Sequence, residues 1–264
     1  MVEKWQLPVN TRWVGRSTYC YEEIDSTNLE AVRLAEQGEA HGMVVVADRQ
    51  YKGRGRRGRS WESSLKGKDI CFTLLLRPKF RTDSMAGLTL VMALSVRQAI
   101  KDYCHLETGI KWPNDLVLQG KKICGILTEL HSGKSQSSYI IVGVGVNVNR
   151  EELPEEIENL ATSLLIESGR SWDRKKLLVR ILERFEQNYE SYQRHLDMTE
   201  LIAEYQACLV NIDRQVRILE SGNEREGIAR GINPAGELLV EMPDGTITAI
   251  YAGEVSVRGI YGYV

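Results

Sequence analysis

The sequence has few cysteines, and none of them form a recognisable pair. The five are widely spaced, odd in number and without a C-x-x-C arrangement: Cys20, Cys71, Cys104, Cys124 and Cys208. This pattern is typical of reduced thiols in a core, and it argues against a disulfide framework or a zinc site built from cysteine.

Long apolar runs and a secretory leader are also missing. The first ten residues contain Glu3 and Lys4 and have no apolar segment, and the longest nearly apolar run, 88–96, is far too short to cross a bilayer. We therefore expect a cytoplasmic protein that does not bind membranes.

The sequence has no large excess of either charge: it contains 34 Lys and Arg and 36 Asp and Glu, so the net charge is -2. A near-neutral total argues against a generic nucleic-acid binder. The hydrophobic share of 42% excludes a disordered or fibrous chain. One exception is local, because Lys52, Arg54, Arg56, Arg57 and Arg59 crowd into a single short segment.

Familiar catalytic signatures are not found either. G-x-S-x-G, H-E-x-x-H and Walker A motifs are absent, and the four histidines have no partner spacing. Gly143-Val-Gly145-Val-Asn147 lacks the third glycine of a dinucleotide fingerprint and lies inside an alternating strand. A Rossmann site is therefore excluded.

Periodicity predicts a mixed α and β protein. Thr27 and Glu30 form a T-x-x-E capping box that predicts the start of a helix running to residue 40. The other predicted helices cover 83–105 and parts of 155–208, the clearest being 173–195. Buried or alternating strands are predicted at 42–48, 69–76, 110–112, 122–130 and 139–149.

The sequence pattern changes near residue 212. Five short strands with turns between them follow, at 215–219, 226–231, 237–242, 246–251 and 255–258. So many strands in about fifty residues predict a small barrel or sandwich. We therefore predict a first domain at 1–212 and a second at 213–264.

The segment from Gly53 to Trp61 alternates glycine with arginine inside a connection of about twenty residues, far longer than usual. Glycine lets backbone N–H groups approach an anion, while guanidinium groups grip it bidentately. A phosphate site, a solvated loop and an RGG-like nucleic-acid segment all fit this composition. Its position between two buried strands favours the phosphate site, and Trp61 is either a packing anchor or a surface on which a base stacks.

Other polar residues have ordinary explanations when taken singly. Pro113-Asn114-Asp115 is common turn chemistry, and Lys122 at a strand start is typical of a solvated edge. Ser26, Thr27 and Asn28 suit a helix cap, but they also offer three neutral polar groups to an uncharged ligand.

The order of these motifs is specific: D-S-T-N at 25–28, G-R-G-R-R-G-R-x-W at 53–61, K-W-P-N-D at 111–115, K-x-x-G-I-L at 122–127 and G-x-G-x-N at 143–147. The chain resembles the biotin protein ligases from about residue 20 to its end, including the segment Gly253 to Arg258. The resemblance implies an α/β (α+β) fold. Its catalytic domain would have a mixed sheet related to class II aminoacyl-tRNA synthetases, and an SH3-like β-barrel would follow.

The resemblance also implies an activity in two steps. Biotin and MgATP give biotinyl-5'-AMP and pyrophosphate, and the acyl group then passes to one lysine of a biotin carboxyl carrier protein. Homodimerisation through a sheet edge is a further implication.

Site residues follow from the matching positions. The catalytic residues would be Arg56, Lys122 and Asp115, with Asp115 orienting or deprotonating the acceptor lysine. Biotin would contact Ser26, Thr27, Asn28, Gln50, Arg54, Gly55, Arg56 and Lys122. ATP would contact Arg54, Arg56, Trp61, Lys111, Asn114, Lys122 and Asn147.

Two departures from the family pattern qualify the expectation. Only about two dozen residues precede Asp25, so we expect no DNA-binding domain and no DNA partner. The bifunctional members of this family place an aromatic under adenine in the segment after G-x-G-x-N, but residues 150–164 here contain none. The resemblance therefore favours Trp61 as the residue that stacks on adenine. The alternatives are a lipoate-protein ligase, a nucleic-acid-binding module and an inactive biotin-binding protein, the last disfavoured by the presence of Arg56 and Lys122.

Overall fold

The computed structural model describes residues 2–5, 7–61, 63, 66–78, 85–132, 138–220, 223–251 and 256–259. The first part of the chain forms eight strands: β1 Val2–Trp5, β2 Thr18–Ile24, β3 Val44–Gln50, β4 Ile70–Leu76, β5 Gly109–Lys111, β6 Asp115–Leu118, β7 Lys121–Ser132 and β8 Ser138–Val146. Five helices accompany them: α1 Thr27–Glu36, α2 Met85–Cys104, α3 Leu164–Ser168, α4 Arg174–His195 and α5 Ile202–Ala207.

These strands form one sheet in the order β1-β2-β3-β4-β8-β7-β6-β5. β2 and β3 run parallel, because α1 carries the chain back between them, and every other described pair of neighbours is antiparallel. The predicted mixed sheet is confirmed. β4, β8 and β7 lie at its centre, and the ends of these strands bear most of the predicted site residues.

A second sheet is formed by β9 Gln215–Glu220, β10 Asn223–Ile232, β11 Leu238–Glu241, β12 Ile247–Ile250 and β13 Ser256–Gly259. It is antiparallel throughout, in the order β12-β11-β10-β9-β13. The five predicted strands and the predicted fold class are confirmed. Gly253 to Val255, which belonged to the last predicted strand and its turn, lie outside the described residues.

The core has two layers because side chains alternate across the sheet. Val45 and Leu75 face α1, whereas Val44 and Leu74 belong to the larger cluster that contains α2 and α4. That larger cluster also includes Val216 and the other buried residues of the second sheet. The two sheets therefore share one continuous apolar core, and the division at residue 212 stays a prediction.

The predicted capping box is wrong. The N-cap is Ser26, and within the described chain its side chain makes no capping hydrogen bond. Thr27 is the first helical residue and donates its hydroxyl to Gln50 Oε1, while Glu30 accepts from the Tyr21 hydroxyl. Both side chains are engaged in tertiary contacts, which the local pattern does not reveal.

Three of the described strands, β1, β2 and β6, were not predicted. β2 has one buried residue at each end and exposed or half-buried residues between them, so no clear alternation marks it. β6 is four residues long and follows the proline turn directly. Over the described ranges, no helix is long and apolar enough to cross a membrane.

Candidate active site

Most of the predicted site residues converge on one cleft between α1, the arginine-rich segment and the central strands. Its lining includes Ser26, Thr27, Asn28, Gln50, Arg54, Gly55, Arg56, Trp61, Asn114 and Lys122. A larger cavity of about 380 Å³ lies elsewhere, bounded by β2, β3 and the first turn of α4. Its described lining contains none of the predicted site residues, so cavity size alone would point to the wrong place.

Neutral polar groups form one wall of the cleft. The backbone N–H and hydroxyl of Thr27 both donate to Gln50 Oε1, over 2.7 and 3.0 Å. Thr73 of β4 lies beside them, with its Oγ1 2.8 Å from Thr27 Oγ1 and 2.7 Å from Asn28 Oδ1. All four residues are buried, so these contacts are shielded from water.

These buried oxygens make more contacts with one another than they have hydrogen-bonding protons. Three oxygen-to-oxygen contacts join Gln50, Thr27, Thr73 and Asn28. The two threonine hydroxyls supply only two protons. One oxygen acceptor of this wall is therefore left with an unused lone pair, and a ligand that offers N–H groups could donate a hydrogen bond to it.

Gly143 makes room for this wall. A Cβ at that position would overlap the Asn28 amide oxygen. In the register of β7 and β8, Gly143 lies opposite Leu127. The missing side chain therefore leaves space above the sheet that the Asn28 amide fills.

The arginine-rich segment is an ordered hairpin. Arg54 pairs with Ser60 as an isolated bridge, the Gly55 N–H donates to Arg59 O over 2.7 Å, and the Trp61 N–H donates to Gly53 O over 3.0 Å. Arg57 turns the chain with φ of 56°. The hairpin therefore presents Arg54 and Arg56 from a defined backbone rather than from a random coil.

Arg56 joins the hairpin to the K-W-P-N-D turn. Its Nη1 donates to Asn114 Oδ1 over 3.0 Å, and Asn114 in turn donates to Ile126 O. Burial lowers the pKa of Arg56, an effect partly opposed by the nearby Asp115 carboxylate. Because an arginine remains charged at neutral pH even so, Arg56 brings a permanent positive charge into a poorly hydrated place.

Trp61 packs against two cross-strand glycines. Gly125 and Gly145 are register partners, and a Cβ at Gly145 would overlap the indole ring. Lys122 Nζ lies 5.8 Å from the ring centroid, within cation–π range. In this structure Trp61 is an anchor on the sheet and also borders the cleft, so its stacking on adenine stays a prediction.

Lys122 and Asp115 form an ion pair beside Trp61. The ammonium lies 2.6 Å from Asp115 Oδ1, and both side chains are largely buried. β6 and β7 bring them together, because Asp115 begins β6 and pairs with Gly125. The Asp115 carboxylate thus adjoins the positive charge of Lys122.

Two predicted ATP contacts are buried and are not among the residues that line the cleft. Lys111 is buried at the end of β5, opposite Asp115 in the register of β5 and β6. Asn147 follows β8 directly and donates its side-chain N–H to Thr162 O over 2.9 Å. Asn147 therefore secures the segment after β8, and its contact with ATP stays a prediction.

The sequence pattern missed Thr73 and Glu129. Thr73 interrupts an apolar strand with a hydroxyl, and this was a signal that the sequence offered. Glu129 lies in the C-terminal half of β7, and from the sequence alone an acidic residue there is typical of a solvent-exposed position. Its carboxylate instead meets Arg54 and Asn28.

In the part of the chain that the structure describes, no group of three or more His, Cys, Asp or Glu could hold a metal ion. The two acidic side chains nearest the cleft, Asp115 and Glu129, each face a basic residue.

Comparisons with known proteins agree with this site. The sequence model of the Biotin/lipoate A/B protein ligase family matches residues 21–147, and that of the Biotin protein ligase C terminal domain matches residues 212–258. The bifunctional ligase/repressor BirA of Bacillus subtilis is 34% identical over 249 residues, 94% of this chain and 76% of that protein.

Two further matches, one to a sequence and one to a solved structure, extend over nearly the whole length of the matched protein. A biotin-(acetyl-CoA-carboxylase) ligase of Paracoccus denitrificans is 33% identical over 243 residues, 89% of this chain and 98% of that protein. The structure of biotin protein ligase from Aquifex aeolicus in complex with biotin and ATP has a TM-score of 0.81 at 35% identity, covering 92% of this chain and 98% of that one. The chain belongs to the biotin protein ligase family.

Proposed function

We propose that the protein attaches biotin to one lysine of a biotin carboxyl carrier protein, at the expense of ATP and through biotinyl-5'-AMP. One observation carries the proposal: a wall of neutral hydrogen-bonding groups and a set of fixed cations line the same cleft. The ureido ring of biotin is uncharged and carries two N–H groups, so it suits the proton-poor chain of Gln50, Thr27, Thr73 and Asn28.

In the first step a carboxylate oxygen of biotin attacks the α-phosphorus of ATP. An acyl–phosphate bond forms, the bond to the β-phosphate breaks, and pyrophosphate leaves. Two anions must approach each other, so the step needs positive charge that is already in place. Arg54, Arg56 and Lys122 supply that charge, and Gly55, which has no side chain, leaves room for the phosphate beside them.

In the second step the neutral amine of the acceptor lysine attacks the acyl carbon of the adenylate. A C–N bond forms, the C–O bond to AMP breaks, and the amine loses a proton. Asp115, which is paired with Lys122 of the cleft lining, is the carboxylate that we assign to orient the amine or take that proton. Its ion pair with Lys122 holds the carboxylate beside the ammonium group that would face the phosphate.

Asp115→Asn tests this role. The amide preserves the shape of the side chain but cannot accept a proton. Adenylate synthesis should change little, whereas transfer to the carrier should slow by about 10²-fold or more. Single-turnover assays of the two steps give the comparison, and equal slowing of both would remove Asp115 from the transfer step.

Magnesium enters this scheme as part of the substrate MgATP. Since the described residues offer no cluster of metal ligands, the phosphates would hold most of the coordination sphere. The chain's own contribution to charge stabilisation then comes from its arginines and Lys122.

Pyrophosphate exchange into ATP tests the first step and separates the alternatives. The proposal predicts exchange that depends on biotin and is absent with lipoate. Exchange with lipoate but not biotin would favour a lipoate-protein ligase, a possibility that the breadth of the matched family keeps relevant. Exchange with neither, together with salt-sensitive binding of single-stranded or duplex nucleic acid, would favour a nucleic-acid-binding module.

A further inference from the structure

Glu129 contacts both the arginine-rich hairpin and the polar wall at the start of α1, although the proposed reaction assigns it no role. Its side chain is 20% exposed, and one oxygen, Oε1, lies 3.1 Å from Arg54 Nη2 of the hairpin. The other oxygen, Oε2, accepts a hydrogen bond of 2.8 Å from Asn28 Nδ2. A single carboxylate on β7 thus joins the arginine-rich hairpin to the polar wall at the start of α1.

The contact with Asn28 fixes the direction of an amide. Thr73 lies against Asn28 Oδ1, and Glu129 accepts from Asn28 Nδ2. An ionised carboxylate accepts hydrogen bonds only, so it selects the orientation in which the amide nitrogen faces β7. The amide oxygen is then held at the proton-poor chain of oxygens.

The contact with Arg54 is of a different kind. The Arg54 side chain is 43% exposed, so water and salt weaken the pair. Partly exposed pairs of this type shift an equilibrium by about 2- to 5-fold. That is enough to favour a closed hairpin and small enough to let it open for substrates.

We propose that Glu129 is a positioning residue that couples closure of the hairpin to the orientation of Asn28. When Arg54 is bound, the carboxylate is held where it aligns the Asn28 amide, and when the hairpin opens that alignment weakens. The inference rests on the proposed function for the identity of the ligand, biotin. Its first test needs no catalysis, so the two can fail separately.

Limited trypsin digestion of the full-length, ligand-free protein measures opening of the hairpin, whose arginines are the cleavage sites. Glu129→Gln retains an oxygen acceptor for Asn28 but loses the charge that holds Arg54. Cleavage within 54–59 should become about 2- to 5-fold faster, because proteolysis follows the open population. At about 1 M salt the two proteins should be cut at equal rates, since screening removes the pair.

A matched control is Glu22→Gln. Glu22 forms an exposed ion pair with Lys66, which lies in the same connection as the hairpin. This variant should be cut within 54–59 at the rate of the unmodified chain. Equal cleavage of the unmodified protein and Glu129→Gln at low salt, or a difference that persists at high salt, would overturn the proposal.

The second measurement is the KM for biotin in pyrophosphate exchange. Glu129→Ala, which removes both contacts, should raise this KM by about tenfold while kcat stays within about twofold. An unchanged KM for biotin in Glu129→Ala would contradict the proposed coupling to Asn28. If the unmodified chain shows no biotin-dependent exchange, the proposed function fails while the proteolysis result still decides whether Glu129 holds the hairpin.

Discussion

At the scale of residues, three glycines determine what the cleft contains. Gly143 leaves room for the Asn28 amide, whereas Gly125 and Gly145 leave a flat surface for Trp61. All three belong to neighbouring strands, β7 and β8. These glycines belong to the K-x-x-G-I-L and G-x-G-x-N motifs, but which side chain packs over them depends on cross-strand register, which no local pattern contains.

Gly143→Ala should weaken biotin binding. The new Cβ would displace the Asn28 amide from Thr73 and cost about 0.5–1.5 kcal/mol for the lost hydrogen bond. The KM for biotin in pyrophosphate exchange should therefore rise about 2- to 10-fold. Asn28→Ala should give a similar rise, and a double variant worse than either would show that the glycine acts by another route.

At the scale of elements, the arginine-rich hairpin is the main example of what could and could not be predicted. Composition and position indicated an anion site between two strands. The hairpin's shape depends on contacts with Asn114 and Glu129, which are far away in sequence. Glycine and arginine alone are equally compatible with a solvated loop, so only the tertiary partners distinguish the two.

Arg56→Ala tests whether the hairpin shields the adenylate. Arg56 is the residue that ties the hairpin to Asn114, and its loss should admit water to the mixed anhydride. Biotin-dependent release of AMP without a carrier should increase about tenfold relative to the rate of adenylate formation. Arg59→Ala is the control, because it removes the same charge from an exposed position of the same hairpin. An equal increase in both variants would contradict a shielding role.

At the scale of the whole molecule, the second sheet supports the catalytic turn directly. Trp112 is buried, its indole N–H donates to Gly236 O over 3.0 Å, and its backbone N–H donates to Asn211 Oδ1 over 2.8 Å. Local patterns predicted most helices and strands within a few residues. They could not show that the two sheets share one core, since that depends on packing between distant segments.

Trp112→Phe should therefore affect both stability and activity. It leaves the buried Gly236 carbonyl without its partner, at a cost of about 1–3 kcal/mol, and Tm should fall by about 2–4 °C for each kcal/mol. Both half-reactions should slow, because Asn114 and Asp115 follow in the same turn. Trp172→Phe loses a hydrogen bond to Ser168 away from that turn and should reduce Tm without slowing the reaction. The two variants are compared by thermal unfolding and by pyrophosphate exchange. A Trp112→Phe protein with a lower Tm but full activity would refute the role of Trp112 in supporting the catalytic turn.

The central claim is that one cleft activates biotin with ATP and delivers it to a single lysine of a carrier domain. The direct measurement is a streptavidin blot, with the modified residue located by mass spectrometry, after incubation of the protein with biotin, MgATP and a biotin carboxyl carrier domain. We expect labelling that requires both biotin and ATP, falls on one lysine and disappears when that lysine is replaced by arginine. An unlabelled carrier, or equal labelling of the arginine variant, would contradict the claim.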